Sequence, residues 1–214
     1  MPFNCFIFDC DGTLAHSEPA YRDAFSHTIR LHTGLAIDEA EFRDFWNMTP
    51  AEVLRRYSDE MLEEMLASFE EHYYANHHHH LIAYAGIGEL LGELSRRALR
   101  IAIVSLKPRR AGELELDITG LRPLVEVSVW GDDVERVKPD PDGVLRAMRW
   151  LGVGAQSTLV IGDSPADILM GRAAGASTAA ALWGGASRER LLAQTPDFAL
   201  TSPHQLLDVL TPAG

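Results

Sequence analysis

A short apolar run that stops abruptly at two acids constrains this chain more than any other stretch. Phe3 to Phe8 reads FNCFIF, and the next residues are DCDGT. The apolar run predicts a buried strand. Asp9 and Asp11 then fall where that strand ends, the place at which open α/β sheets bind ligands. Two carboxylates so close raise each other's pKa unless a metal or a lysine compensates. Such a tip predicts a cationic partner supplied from elsewhere in the chain.

The chain has 214 residues, enough for one large domain or a core with a smaller insert. It carries 19 basic against 31 acidic residues, a formal charge of −12. That balance argues against a nucleic-acid partner and against an anionic membrane surface. Arginine supplies nearly all the positive charge, because Lys107 and Lys138 are the only lysines. Cys5 and Cys10 both lie in the first strand region, five residues apart, which does not suit a disulfide. With no basic leader before an apolar stretch, the expectation is a reduced, cytoplasmic protein.

Residues 15–80 carry apolar side chains at helical spacing, including Tyr21, Phe25 and Ile29, then Met61, Leu62, Met65 and Phe69. Thr49, Pro50 and Glu52 form a helix-start signature. A helical block this long, before any second strand, exceeds one crossover and predicts an inserted cap. From residue 81 strands alternate with helices, which predicts a mostly parallel sheet covered by helices. The domain expectation is therefore a core of 1–14 and 81–214 with a helical cap of 15–80.

Four predicted strand ends carry Asp9 and Asp11; Ser105; Asp132 and Asp133 with Lys138 beyond; and Asp163 with Asp167. A doubly wound sheet gathers such ends on one rim. A carboxylate there can attack phosphorus, and a second carboxyl can donate to the leaving oxygen. Asp9 and Asp163 supply oxygens suited to Mg²⁺. Ser105 and Lys138 can hold phosphoryl oxygens.

Together, FDCDGTL at 8–14, the strand ending in Ser105, VKPDPDG at 137–143 and GDSPADI at 162–168 resemble the haloacid dehalogenase superfamily. The resemblance extends to its phosphoglycolate phosphatase and β-phosphoglucomutase-like branch. It implies an α/β, Rossmann-like core with sheet order 5-4-1-2-3 and an inserted all-helical cap that opens and closes. It also implies Asp9 as nucleophile and Asp11 as general acid/base. Asp9, the backbone carbonyl of Asp11 and Asp163 would ligate Mg²⁺, with Asp167 at or beside the metal. Ser105 and Lys138 would bind phosphate, with Gly12 and Thr13 shaping the loop. The implied activity is a Mg²⁺-dependent phosphatase acting on a small phosphorylated metabolite through an aspartyl-phosphate. The alternatives are a sugar phosphomutase or a non-enzymatic regulator on the same fold. Asp11 favours phosphoryl chemistry over dehalogenation, since true dehalogenases lack that aspartate. A cap without lysine does not fit the Schiff-base phosphonatases.

Several residues remain open. Leu106 and His16 depart from the branch's usual pattern, and His16, Trp46 and Arg55 are candidates for substrate choice. Lys107 reads more as a surface residue than as a phosphate contact, and Asp132 and Asp133 equally well as plain turn residues. The run His77–His80 reads as a polar stretch near a hinge rather than a transition-metal site. The chain is expected to be a monomer or homodimer, with Trp130 or Trp183 candidates for an exposed patch.

Overall fold

In the computed structural model, residues 3–45, 48–185 and 187–210 are described. Their strands are β1 (Cys5–Phe8), β2 (Ala15–His16), β3 (Ile82–Ala83), β4 (Arg100–Val104), β5 (Val127–Val129), β6 (Thr158–Gly162), β7 (Ser177–Ala181) and β8 (Phe198–Leu200). Their α-helices begin with α1 (Glu18–Thr33), α2 (Glu39–Phe45), α3 (Pro50–Arg55), α4 (Leu62–Asn76) and α5 (Ile87–Arg96). They continue with α6 (Arg109–Thr119), α7 (Asp142–Leu151), α8 (Pro165–Ala173), α9 (Arg188–Leu192) and α10 (Gln205–Val209).

The chain forms two compact units, Met1–His16 with Ile82–Gly214, and Ser17–Leu81. The first contains a six-stranded sheet in the order β5-β4-β1-β6-β7-β8, every pair parallel. This corrects the expected order 5-4-1-2-3. The second and third strands of the chain, β2 and β3, pair only with each other as a short antiparallel ribbon. The neighbours of β1 are therefore β4 and β6, and Phe198–Leu200 adds a sixth strand at the edge beside β7. Two-residue strands carry no readable period, and three residues at a sheet edge carry little more.

All four residues of β1 are buried, as a strand covered on both faces requires. Phe6 and Phe8 point into one layer with Leu90, Leu91 and Leu94 of α5 and Leu206 of α10. Cys5 and Ile7 point into the other, with Val144 and Met148 of α7 and Met170 of α8. Both cysteines are buried and free. The pairing sets Phe8 level with Ile103 of β4 and Ile161 of β6. Consequently the residues just past β1, β4 and β6 emerge side by side. The chain runs outward from β1 through β4 and β5, then returns to β6, so β1 marks the switch point where a crevice forms.

The second unit is helical. The ring of Phe25 of α1 lies 4.6 Å from that of Phe69 of α4, tilted by 36°, and Tyr21 lies 5.1 Å from Tyr73. The expected start of α3 is present: Glu52 accepts from the Thr49 amide at 2.7 Å and Thr49 Oγ1 accepts from the Glu52 amide at 3.3 Å. No helix among the described residues is long and apolar enough to cross a membrane.

Candidate active site

The tip of β1 turns sharply. The Asp9 amide still donates to the Ile161 carbonyl at 2.8 Å, extending the ladder by one residue. The Cys10 carbonyl then accepts from the Leu14 and Ala15 amides at 2.9 and 3.0 Å. Gly12 sits in this turn at φ +76°, and a Cβ there would collide with the Asp163 carboxylate. Glycine is thus required twice, for backbone conformation and for the approach of β6's tip. Trp183 Nε1 donates to the Thr13 carbonyl at 2.9 Å and fixes the turn from outside.

Lys138 crosses to this tip from the loop before α7. Its Nζ donates to Asp9 Oδ1 and to Asp167 Oδ1, each at 2.6 Å. Asp167 is held in place as the third residue of α8, where its Oδ2 accepts from the Ser164 amide at 3.0 Å and hydroxyl at 2.6 Å. Asp9, Asp163 and Asp167 each offer an oxygen within 4.8 Å of the others. Among the described residues they form the one such metal-ligand cluster. Three carboxylates around one ammonium leave negative charge in a buried place. Burial, and then the charge of Asp167, push the Asp9 carboxyl up to about 7 against the pull of Lys138. Burial, with Asp9 and Asp167 adding to it, lifts Asp163 well above its ordinary range. Burial works against the Lys138 charge, yet Asp167 and Asp9 outweigh it and hold the ammonium above the lysine range.

The donor set fits a hard divalent cation. Asp163 Oδ2 is buried with no hydrogen-bond partner among the described residues, an arrangement costly unless a cation meets it. All the candidate ligands are oxygens, and a bound cation would supply the charge that Lys138 alone does not.

The second motif aspartate has a different partner. Asp11 Oδ1 lies 2.7 Å from Lys107 Nζ, and Lys107 also pairs with Glu115 of α6. Lys107 is therefore not a surface residue; its side chain is fully buried. Cys10 Sγ donates to Glu115 Oε1 at 3.0 Å. Glu115 escaped the sequence reading altogether. Its one signal is position: it lies on the same helix face as Ala111, Gly112 and Leu116, all buried.

The family model for haloacid dehalogenase-like hydrolases matches residues 6–181. The chain belongs to that family. The pyrophosphatase PpaX of Bacillus cereus (strain G9842) is 30% identical over 211 residues, covering 99% of this chain and 98% of the relative. Two solved structures share the fold. A predicted phosphoglycolate phosphatase from Haemophilus somnus superposes with a TM-score of 0.90 at 20% identity, covering 99% of both chains. CbbY from Rhodobacter sphaeroides, in complex with phosphate, superposes with a TM-score of 0.82 at 24% identity, covering 95% of this chain and 96% of its own. In a chain of this family, the aspartate cluster is one able to coordinate a divalent metal.

The remaining candidates fall as follows. Ser105 is buried at the end of β4 and lines one small cleft with Lys138, Leu106 and Arg136. Thr13 Oγ1, in the motif turn, is buried with no hydrogen-bond partner among the described residues. His16 is half-buried in β2 with its ring 5.6 Å from that of Tyr84. Arg55 sits exposed in the helical unit, paired to Asp59 at 3.1 Å. Trp46 lies outside the described residues. Asp132 and Asp133 are structural: both accept from Arg109, and Asp133 caps the Trp130 amide at 2.8 Å. Neither tryptophan offered for a dimer patch is exposed. Trp130 is buried with Nε1 donating to Glu113 at 2.8 Å, and Trp183 is the half-buried brace on Thr13. In the histidine run, His77 is not a solvated residue but a buried one. Its ring stacks 5.2 Å from Tyr73 and its Nδ1 bonds the Tyr73 carbonyl at 2.9 Å.

Proposed function

We propose that this protein is a Mg²⁺-dependent phosphohydrolase that works through an aspartyl-phosphate on Asp9. The observation that carries the reading is the buried Asp9–Asp163–Asp167 cluster with its unpartnered Asp163 oxygen, built beside a second aspartate held on its own lysine. Asp9 and Asp163, with the Asp11 backbone carbonyl, would hold the cation. Both oxygens of Asp167 are engaged by Lys138 and Ser164, so Asp167 orients the lysine instead. When bound, Mg²⁺ supplies charge that offsets the phosphoryl oxygens and keeps Asp9 ionised.

The chain's own residues do the rest. A carboxylate oxygen of Asp9 bonds to phosphorus as the bond to the leaving oxygen breaks, and Asp11 passes its proton to that oxygen. Asp11 next takes a proton from the water that cleaves the acyl phosphate, which returns Asp9 and frees phosphate. Lys138 and Ser105 hold phosphoryl oxygens during both transfers, and Gly12 and Thr13 shape the loop they face. The substrate class is a small phosphate monoester. The near full-length similarity to a pyrophosphatase supports a second reading, in which inorganic pyrophosphate is the substrate.

The test is phosphate release from p-nitrophenyl phosphate, a panel of small organic phosphates and inorganic pyrophosphate. Release is expected to need Mg²⁺, to stop in EDTA and to fall about a thousandfold or more in Asp9→Asn. No release from any of them with Mg²⁺ present would end the hydrolase reading. Isomerisation of a sugar phosphate without free phosphate would point to a mutase.

A further inference from the structure

We propose that Lys107 and Glu115 are positioning residues that hold the Asp11 carboxyl in line with the leaving oxygen. This rests on the reading of Asp11 as the general acid/base. The observation behind it is a chain of contacts running inward from the site. Asp11 Oδ1 meets Lys107 Nζ at 2.7 Å, Lys107 pairs with Glu115, and Glu115 Oε1 accepts from Cys10 Sγ at 3.0 Å. The outermost member, Asp11, is 23% exposed, while Lys107 and Glu115 are all but inaccessible.

Burying an ion pair is a poor way to gain stability. Removing the charges from water costs several kcal/mol each, roughly what their attraction returns, and apolar residues of similar volume often do better. What a buried, multiply bonded pair does well is fix geometry. A proton donor must lie within about 3 Å of the oxygen it serves, and small misplacements are costly. Asp11 sits on a tight turn and is partly open to solvent, so the turn alone does not select its rotamer. Lys107 does so, and Glu115 prevents Lys107 from swinging. Glu115 is anchored in the middle of α6, an 11-residue helix that follows the loop carrying Ser105. The acid and the phosphate-binding loop are thereby registered on one rigid element. Cys10, next to Asp11 in sequence, closes the chain of bonds back onto the motif.

The reaction's dependence on the leaving group separates this role from a merely structural one. Nitrophenolate departs without a proton, whereas phenolate benefits from one. Purified protein with Mg²⁺ is assayed on phenyl phosphate and p-nitrophenyl phosphate, comparing kcat/KM. Asp11→Asn, the reference, is expected to lose about a hundredfold on phenyl phosphate and far less on p-nitrophenyl phosphate. Lys107→Met is expected to show the same selectivity at about tenfold, and Glu115→Gln a weaker form of it. Glu115→Gln keeps the shape and leaves Lys107 in place, so it decides the matter if Lys107→Met does not fold. Equal losses on both esters, or no loss, in folded Lys107 and Glu115 variants while Asp11→Asn stays selective would overturn the brace alone. An unselective Asp11→Asn would overturn the acid assignment and the brace with it. A wild type inert on both esters, on the small organic phosphates and on pyrophosphate would instead overturn the hydrolase reading beneath them.

Discussion

The side chains of both lysines of this chain are almost wholly covered, and each bridges two carboxylates near the β1 tip, yet the two bridges are built for different ends. Lys138 ties Asp9 to Asp167, and a third carboxylate, Asp163, adds an oxygen that nothing among the described residues satisfies. Lys107 ties Asp11 to Glu115, and there the surplus acceptor is met by a thiol from the neighbouring Cys10. The first cluster is short of positive charge and open to a cation; the second is closed by protein groups alone. Motif residues two apart thus receive opposite treatment, one left with a demand for metal and the other locked in place.

The largest expected effect comes from removing each lysine in turn. Lys138→Met and Lys107→Met should each lower the unfolding free energy in EDTA by about 3–5 kcal/mol, because carboxylates lose their buried partner. Saturating Mg²⁺ should restore much of the loss for Lys138→Met and little for Lys107→Met, measured by urea unfolding. Equal rescue of both would break the contrast. A smaller effect separates the acids: Asp163→Asn should weaken Mg²⁺ binding about a hundredfold by calorimetric titration, while Glu115→Gln should leave it within about threefold. The smallest is a pH dependence. Asp9 is raised from its ordinary 3.8 to about 7, so its ionisation disfavours the metal-free fold, and stability is lost as pH rises between those values. Asp9→Asn avoids that loss. In EDTA its melting temperature should exceed the wild type's by about 5 °C at pH 8, and the gain should shrink as pH falls below about 7. A gain independent of pH would mean that Asp9 is not the strained carboxylate.

Much of this architecture was legible in the residues. The alternation of strand and helix beyond residue 81, the buried first strand and the Thr49 cap all follow from local pattern, and all are present. The order of the sheet was not legible, because β2, β3 and β8 are too short to show a period and because pairing is a long-range choice. At the site, Asp9, Asp163, Asp167 and Lys138 stood out because each follows a predicted strand. Lys107 was misjudged as a surface group, and Glu115 was missed, because a charged residue in a helix reads as solvated unless its face is known to be buried. Trp130 and Trp183 misled for the converse reason: a large apolar residue near a loop reads as exposed until the helix or turn that covers it is placed.

By itself the sequence determined which chemical groups reach the sheet's rim, since that depends only on where apolar runs end and acids begin. Only the tertiary structure decided which charge answers which. Lys138 and Asp9 are 129 positions apart and Cys10 and Glu115 are 105 apart, distances over which no local pattern speaks. Coulomb energy depends on separation in space and on the exclusion of water, and both are set only when the sheet and its helices close around the tip of β1.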